Sequence, residues 1–162
     1  PNNFKLPYLL GFIQYFYLND FSKAAKYLSQ AAQLPDCPKQ IGPFATRLAA
    51  ESAQPEIGLA LVSSLLKTIT DEKLRQTYLE RRMLLQLEVE LKQLNRAINV
   101  YKKHYQRLPK QLNELLQPGI LKSIPTQDPL GGHYLLEPNG TIGTTSEARR
   151  LKLSTQFKQK IK

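Results

Sequence analysis

Few residues in this chain are of the types that do covalent or metal chemistry, and their spacing limits what they can do. There is one cysteine, Cys37, and there are two histidines, His104 and His133. A nucleophile needs a base beside it and a third group to orient that base. Cys37, His133 and Asp128 make a drawable Cys-His-Asp set, but nothing in the local sequence brings them together. A hydrolase-like reading requires a pocket that places His133 beside a nucleophile. His104 lies between Lys103 and Tyr105 and reads as a surface residue of a helix. Neither Cys-x-x-Cys nor His-x-x-x-His spacing occurs, so zinc has no support. Gly131-Gly132 lacks the following Lys-Ser/Thr of a phosphate loop and reads as a turn. Glu80, Glu88 and Glu90 alternate with Arg81, Arg82 and Lys92, which describes a solvated charged face rather than a carboxylate site. The expectation is a protein with no catalytic residues, no cofactor and no metal.

Composition points the same way. The 162 residues are 41% hydrophobic and 22% charged, which suits one ordinary domain or a domain with a small appendage. A single cysteine excludes an internal disulfide. The longest apolar stretches, such as Ile57 to Leu66, fall well short of the ~20 residues of a membrane span. The chain opens at Pro1 and enters a helical pattern almost at once, so it reads as a piece of a longer protein. Charge is uneven. Residues 1–90 hold 10 Lys+Arg against 9 Asp+Glu, whereas residues 91–162 hold 13 against 4. A basic second half calls for an acidic partner, an anionic membrane surface or nucleic acid, with a solvated basic face as the plainer reading.

The elements that must position these residues are mostly helices. Tyr8, Leu9, Leu10, Phe12, Ile13, Tyr15, Phe16 and Tyr17 are apolar nearly all round, which predicts a helix buried on more than one side. After Asn19-Asp20, the residues Phe21, Ala24, Ala25, Leu28, Ala31 and Ala32 mark one face of a second helix. Asp20 or Ser22 would cap it. Ile41, Phe44, Ala45, Leu48 and Ala49 mark a third. Pro55 opens a fourth, from Ile57 to Ile69, with its missing N–H in the first turn. Thr70-Asp71-Glu72 caps the start of a fifth.

Two helical hairpins thus follow one another at a period of roughly 34 residues. Tyr8, Tyr15, Asp20-Phe21, Ala24, Leu28 and Ala31 match a small/large packing pattern, and Leu10-Gly11 precedes it one residue early. In these residues the chain resembles tetratricopeptide-repeat proteins, well over residues 4–70 and loosely over 71–106. Pro35 is about one position off, and in the second hairpin only the spacing of Ala45, Leu48 and Ala60 survives. The resemblance implies a repeat groove that holds a helix or an extended peptide. Tyr8, Phe12, Gln14, Tyr15, Arg47 and Glu51 are the candidate partner-binding residues.

Leu84, Leu87, Leu91, Leu94, Ile98, Tyr101 and Tyr105 then form a heptad-like seam, with no Gly or Pro between Asp71 and Pro109. One helix of ~35 residues would be ~50 Å long; a soft break near Glu90 to Asn95 is the alternative. The seam is expected to pack within the chain and cover the hairpins. After Pro109 a short helix ends at Pro118-Gly119, and a turn-rich loop leads to His133–Glu137 and Thr141–Thr145 as two strands. Pro138-Asn139-Gly140 joins them, with Gly140 suited to the left-handed position. Such a hairpin is marginal alone and must lean on the helices.

The order Tyr101, Tyr105, Leu108-Pro109, Leu112, Leu115, Gly119-Ile120-Leu121, Ile124-Pro125, Asp128-Pro129-Leu130-Gly131-Gly132 and Tyr134 is similar to the soluble part of type II secretion major pseudopilins. That resemblance covers roughly residues 101–136 and implies a role near the bacterial envelope. Leu130 stands where that family has tryptophan, and no Asp follows Asp128 to build its calcium loop.

The basic end carries Arg149, Arg150, Lys152, Lys158, Lys160 and Lys162. Only Phe157 is interleaved with them for base stacking, which disfavours nucleic acid. The expected architecture is mainly α: tetratricopeptide-like hairpins plus a long helix over 1–108, a pseudopilin-like loop and β-hairpin over 109–146, and a basic tail or short helix over 147–162. The expected function is a non-catalytic protein–protein interaction scaffold or adaptor for bacterial secretion, pilus or envelope assembly, placed in the periplasm or at the membrane through a preceding segment. A cytoplasmic placement is the alternative. Binding to nucleic acid or an anionic membrane through the basic half is the competing function.

Overall fold

Where the sequence alternates small and large apolar residues at helical spacing, the computed structural model, described for residues 3–150, has helices. They are α1 (Lys5–Phe16), α2 (Phe21–Ala32), α3 (Ile41–Glu51), α4 (Pro55–Leu65) and α5 (Glu72–Tyr105). Two short 3-10 turns, Leu112–Leu115 and Glu147–Arg149, flank a hairpin of β1 (Tyr134–Leu136) and β2 (Ile142–Thr144). The protein is therefore mainly α with a small antiparallel β-hairpin, as the periodicities predict.

Local chemistry sets the boundaries. Asn19 takes a left-handed conformation, and the Asp20 carboxylate accepts the amide of Lys23 at 2.9 Å, which starts α2. Asp71 likewise accepts the amide of Leu74 at 2.7 Å and starts α5, with Glu72 in its first turn. The 34 residues of α5 run without a break. The polar stretch Glu90 to Asn95, a candidate break, instead anchors the hairpin. Asn95 accepts the amide of Ile142 at 2.9 Å and donates to the carbonyl of Leu91, while the Tyr134 hydroxyl donates to Glu90.

Among the described residues the chain divides into two compact units, 3–86 and Leu87–Arg150. The division falls within α5, not after residue 108, because side chains of α5 belong to separate cores. In the first unit, Ala24, Ala25, Leu28, Ala45, Leu48, Ala49 and Leu61 are buried together, and Tyr78 and Leu85 of α5 pack with Val62 and Leu66 at the end of α4. Small residues let the paired helices close up. A Cβ on Gly11 would lie 3.2 Å from the backbone nitrogen of Leu28 and 2.6 Å from its Cγ.

In the second unit, Leu87, Leu91, Leu94, Ile98 and Tyr101 are buried with Leu115, Tyr134 and Ile142. The seam was expected to cover the hairpins. From Leu87 onward it covers the loop and β-hairpin instead, and Tyr105 at its end is exposed. The strands pair Tyr134 with Thr144, Leu135 with Gly143 and Leu136 with Ile142, a residue shorter at each end than expected. Gly140 closes their turn at φ 79°. No helix among the described residues is long and apolar enough to cross a membrane.

Candidate interaction surface

Helix α1 carries apolar residues on two opposite sides, as its all-round pattern requires, but only one side is covered. Tyr8, Gly11, Phe12 and Tyr15 face the first unit's core. Leu6, Leu9, Ile13 and Phe16 recur at steps of three, four and three residues on the other side, and all four are exposed, Phe16 to 62%. Tyr17 and Leu18, just beyond the helix, are exposed as well, at 80% and 60%. The expectation of burial on more than one side is therefore corrected: among the described residues, nothing covers this second face. The only charged residue within α1 is Lys5, at its first position.

Aromatic contacts join this helix to α3. Phe12 stacks on Phe16 at 5.7 Å between centroids and on Phe44 at 6.2 Å. Tyr15 meets Phe21 and Phe44 edge-on at 5.6 and 5.3 Å. The Arg47 guanidinium lies 5.8 Å from the Phe44 centroid and 3.8 Å from the Glu51 carboxylate. The candidate residues Phe12, Tyr15, Arg47 and Glu51 thus gather around Phe44, and Tyr8 joins through Phe12. Most of them serve packing: Tyr8, Phe12 and Tyr15 are half-buried, and Glu51 is buried. Gln14 is half-buried, with Oε1 making no hydrogen bond among the described residues. Arg47 is the exposed member of the set. The repeat pattern singles out the inward aromatics and passes over Leu6, Leu9 and Ile13. Their spacing is legible in the sequence, but it does not distinguish a covered face from a bare one.

The chemistry-bearing residues of the second unit hold structure. The Asp128 carboxylate accepts the amides of Leu130 and Gly132 at 2.8 and 3.0 Å, the Ser146 hydroxyl at 3.2 Å and the Thr144 hydroxyl. Burial raises its pKa, but these four donors outweigh that and hold it below the usual carboxylate value. His133 is exposed and its Nδ1 faces the carbonyl of Thr126 at 3.2 Å, so Asp128 does not orient it. His104 is exposed on α5, as expected. Among the described residues, no group of three His, Cys, Asp or Glu side chains is placed to hold a metal.

Two expectations of free charge change. Glu88 takes a two-pronged contact from Arg150, Nε and Nη2 each at 2.9 Å, and Glu90 takes the Tyr134 hydroxyl. They clamp the appendage rather than forming a solvated face. Arg150 also pairs with Glu147 at 2.8 Å, and Arg149 donates to the Leu130 carbonyl at 3.0 Å. These two cations of the basic end are therefore engaged. Lys152, Lys158, Lys160 and Lys162 lie outside the described residues.

Compared with known proteins, no family model, no curated protein and no solved structure matches the chain.

Proposed function

We propose that this chain is a non-catalytic protein–protein interaction module that receives an amphipathic helix of a partner on the outward face of α1. The observation that carries the reading is the exposed stripe Leu6, Leu9, Ile13 and Phe16. A contiguous apolar stripe of this kind on a protein surface marks a contact site. Its three-and-four spacing suits a second helix, whose own side chains repeat at the same interval. The hairpins behind it, with their tetratricopeptide-like pattern, supply a rigid support. The engaged Asp128, Glu88 and Glu90 favour a structural over a catalytic role for the second unit. A setting in bacterial secretion, pilus or envelope assembly is the natural one for the pseudopilin-like order of residues 101–136.

The test is affinity capture from the source cells with the native chain and a Leu9→Glu/Ile13→Glu variant. Both side chains are exposed, so the melting temperature should stay within a few degrees of the native value. Partners held by the native chain should be lost from the variant. An unchanged set of partners on a folded variant rejects the α1 face.

A further inference from the structure

At the end of the first unit, where α2 leaves, α3 begins, α4 ends and α5 begins, the helices leave a cavity of about 220 Å³. Its lining is largely apolar and includes Gly42, Leu65, Ile69 and Leu74. It is smaller than the ~300–1,000 Å³ clefts that hold drug-sized ligands. The space suits one large side chain. Tyr78 also lines it and is only 8% exposed, yet its hydroxyl makes no hydrogen bond among the described residues. The hydroxyl is not among the sealed, unpartnered polar atoms of the described residues; it opens onto the cavity and can donate to an occupant.

Gly42 makes the room. A Cβ there would lie 3.1 Å from the Tyr78 hydroxyl and 3.2 Å from Leu65 Cδ1. Lys39 stands at the wall, and a shallower depression beside it is lined by Lys39, Asp71, Lys73 and Leu74. Neither lysine is in an ion pair among the described residues, while Asp71 is engaged with the amide of Leu74. The mouth therefore has two uncommitted cations against one carboxylate already at work. Cys37 lies in the wall as well; burial pushes its thiol up, so it reacts through a smaller thiolate fraction and its labelling depends on access to the cavity.

We propose that this cavity takes a single large apolar side chain of a protein partner, flanked in the partner's sequence by acidic residues. Lys39 and Lys73 receive the flanking carboxylates, and the Tyr78 hydroxyl donates to an oxygen of the bound segment. The site rests on the reading of the chain as an interaction module but is separate from the α1 face.

The sole cysteine makes the site its own reporter. The probe is a blocked five-residue peptide with phenylalanine between two glutamates, and the readout is the rate at which a chromogenic disulfide reagent labels Cys37. At ~10 times its Kd the peptide should slow labelling about tenfold. Versions with alanine for phenylalanine, or with lysines for the glutamates, should bind at least about tenfold more weakly. Leu74→Glu, at an exposed position, places a carboxylate at the mouth and should abolish protection. Tyr78→Phe leaves the packing intact and should weaken binding about threefold to tenfold. No slowing up to millimolar peptide, or equal slowing by all three peptides, overturns the proposal. Loss of protection in Leu74→Glu with α1-dependent capture intact would show the two sites to be independent. The converse, protection intact with capture insensitive to α1, rejects the α1 reading alone.

Discussion

Glu114 illustrates how much one side chain can hold in a turn that has little regular structure. It accepts the Tyr101 hydroxyl at 2.5 Å, the Arg107 guanidinium at 2.8 Å and the amide of Lys110 at 3.1 Å. The Tyr101 and Arg107 bonds, in that order, hold its carboxyl down to about 2. The unfolded carboxyl has its ordinary value near ~4.3. A folded pKa below the unfolded one means that its contribution is fully present above that ordinary value. The contribution is lost as pH falls toward about 2. Acid titration of stability should therefore slope downward below about pH 4.5, and Glu114→Gln should flatten that part of the curve. Urea melts of both forms at about pH 7, 4 and 2.5 measure it; an unchanged slope in the variant would assign the acid sensitivity elsewhere. None of this was legible beforehand, because Tyr101, Arg107 and Glu114 meet only after the chain has turned at Gln106, which takes a left-handed φ of 53°.

Helices in the first unit approach one another by leaving out side chains. Gly11 is the clearest case, since the residue it faces, Leu28, is fully buried. In isolation Gly11→Ala would favour a helix by ~1 kcal/mol. Here the added methyl meets Leu28, where overpacking costs about 1–3 kcal/mol, so the net change should be a loss of stability. Thermal melts of Gly11→Ala and of Gly11→Ser should both fall below the native value, and a rise in either would mean that α1 can shift away from α2. The Leu10-Gly11 pair stands one residue early in the repeat pattern, and its spacing alone did not single out Leu28 as the neighbour of Gly11. The same sequence misjudged the rest of α1: its outward residues satisfy the pattern of a buried helix, yet exposure depends on what lies opposite. In the middle of the chain, Glu90 and Asn95 looked like a weak point in α5. They are polar because they receive the hairpin.

At the scale of the whole chain, one helix serves two cores. Leu85 and Leu87 are both fully buried, but Leu85 packs with Val62 and Leu66, and Leu87 with Leu115 and Tyr134. Truncating either to alanine should cost about 2–5 kcal/mol of local stability. Hydrogen exchange separates the effects. Leu85→Ala should speed exchange first in α4, and Leu87→Ala first in β1 and β2. Uniform acceleration over both units by either variant would make them a single cooperative block. The basic second half takes its place at this scale too. Arg149 and Arg150 are used to fasten the end of the second unit, through Leu130, Glu88 and Glu147.

Periodicity, caps and turn residues by themselves determined four short helices, a helical seam after Asp71 and a hairpin, but left one helix or two open in the seam. These signals act within a few residues, so Asp20, Asp71 and Gly140 do in the structure what they promise in the sequence. Tertiary structure alone decided which apolar faces are covered, where the long seam packs and which charges are spent. Those depend on partners dozens of residues away. Hence Cys37, His133 and Asp128, the residues that looked able to do chemistry, lead elsewhere. Asp128 holds a loop, His133 is exposed, and Cys37 lines a cavity that no spacing in the sequence foretold.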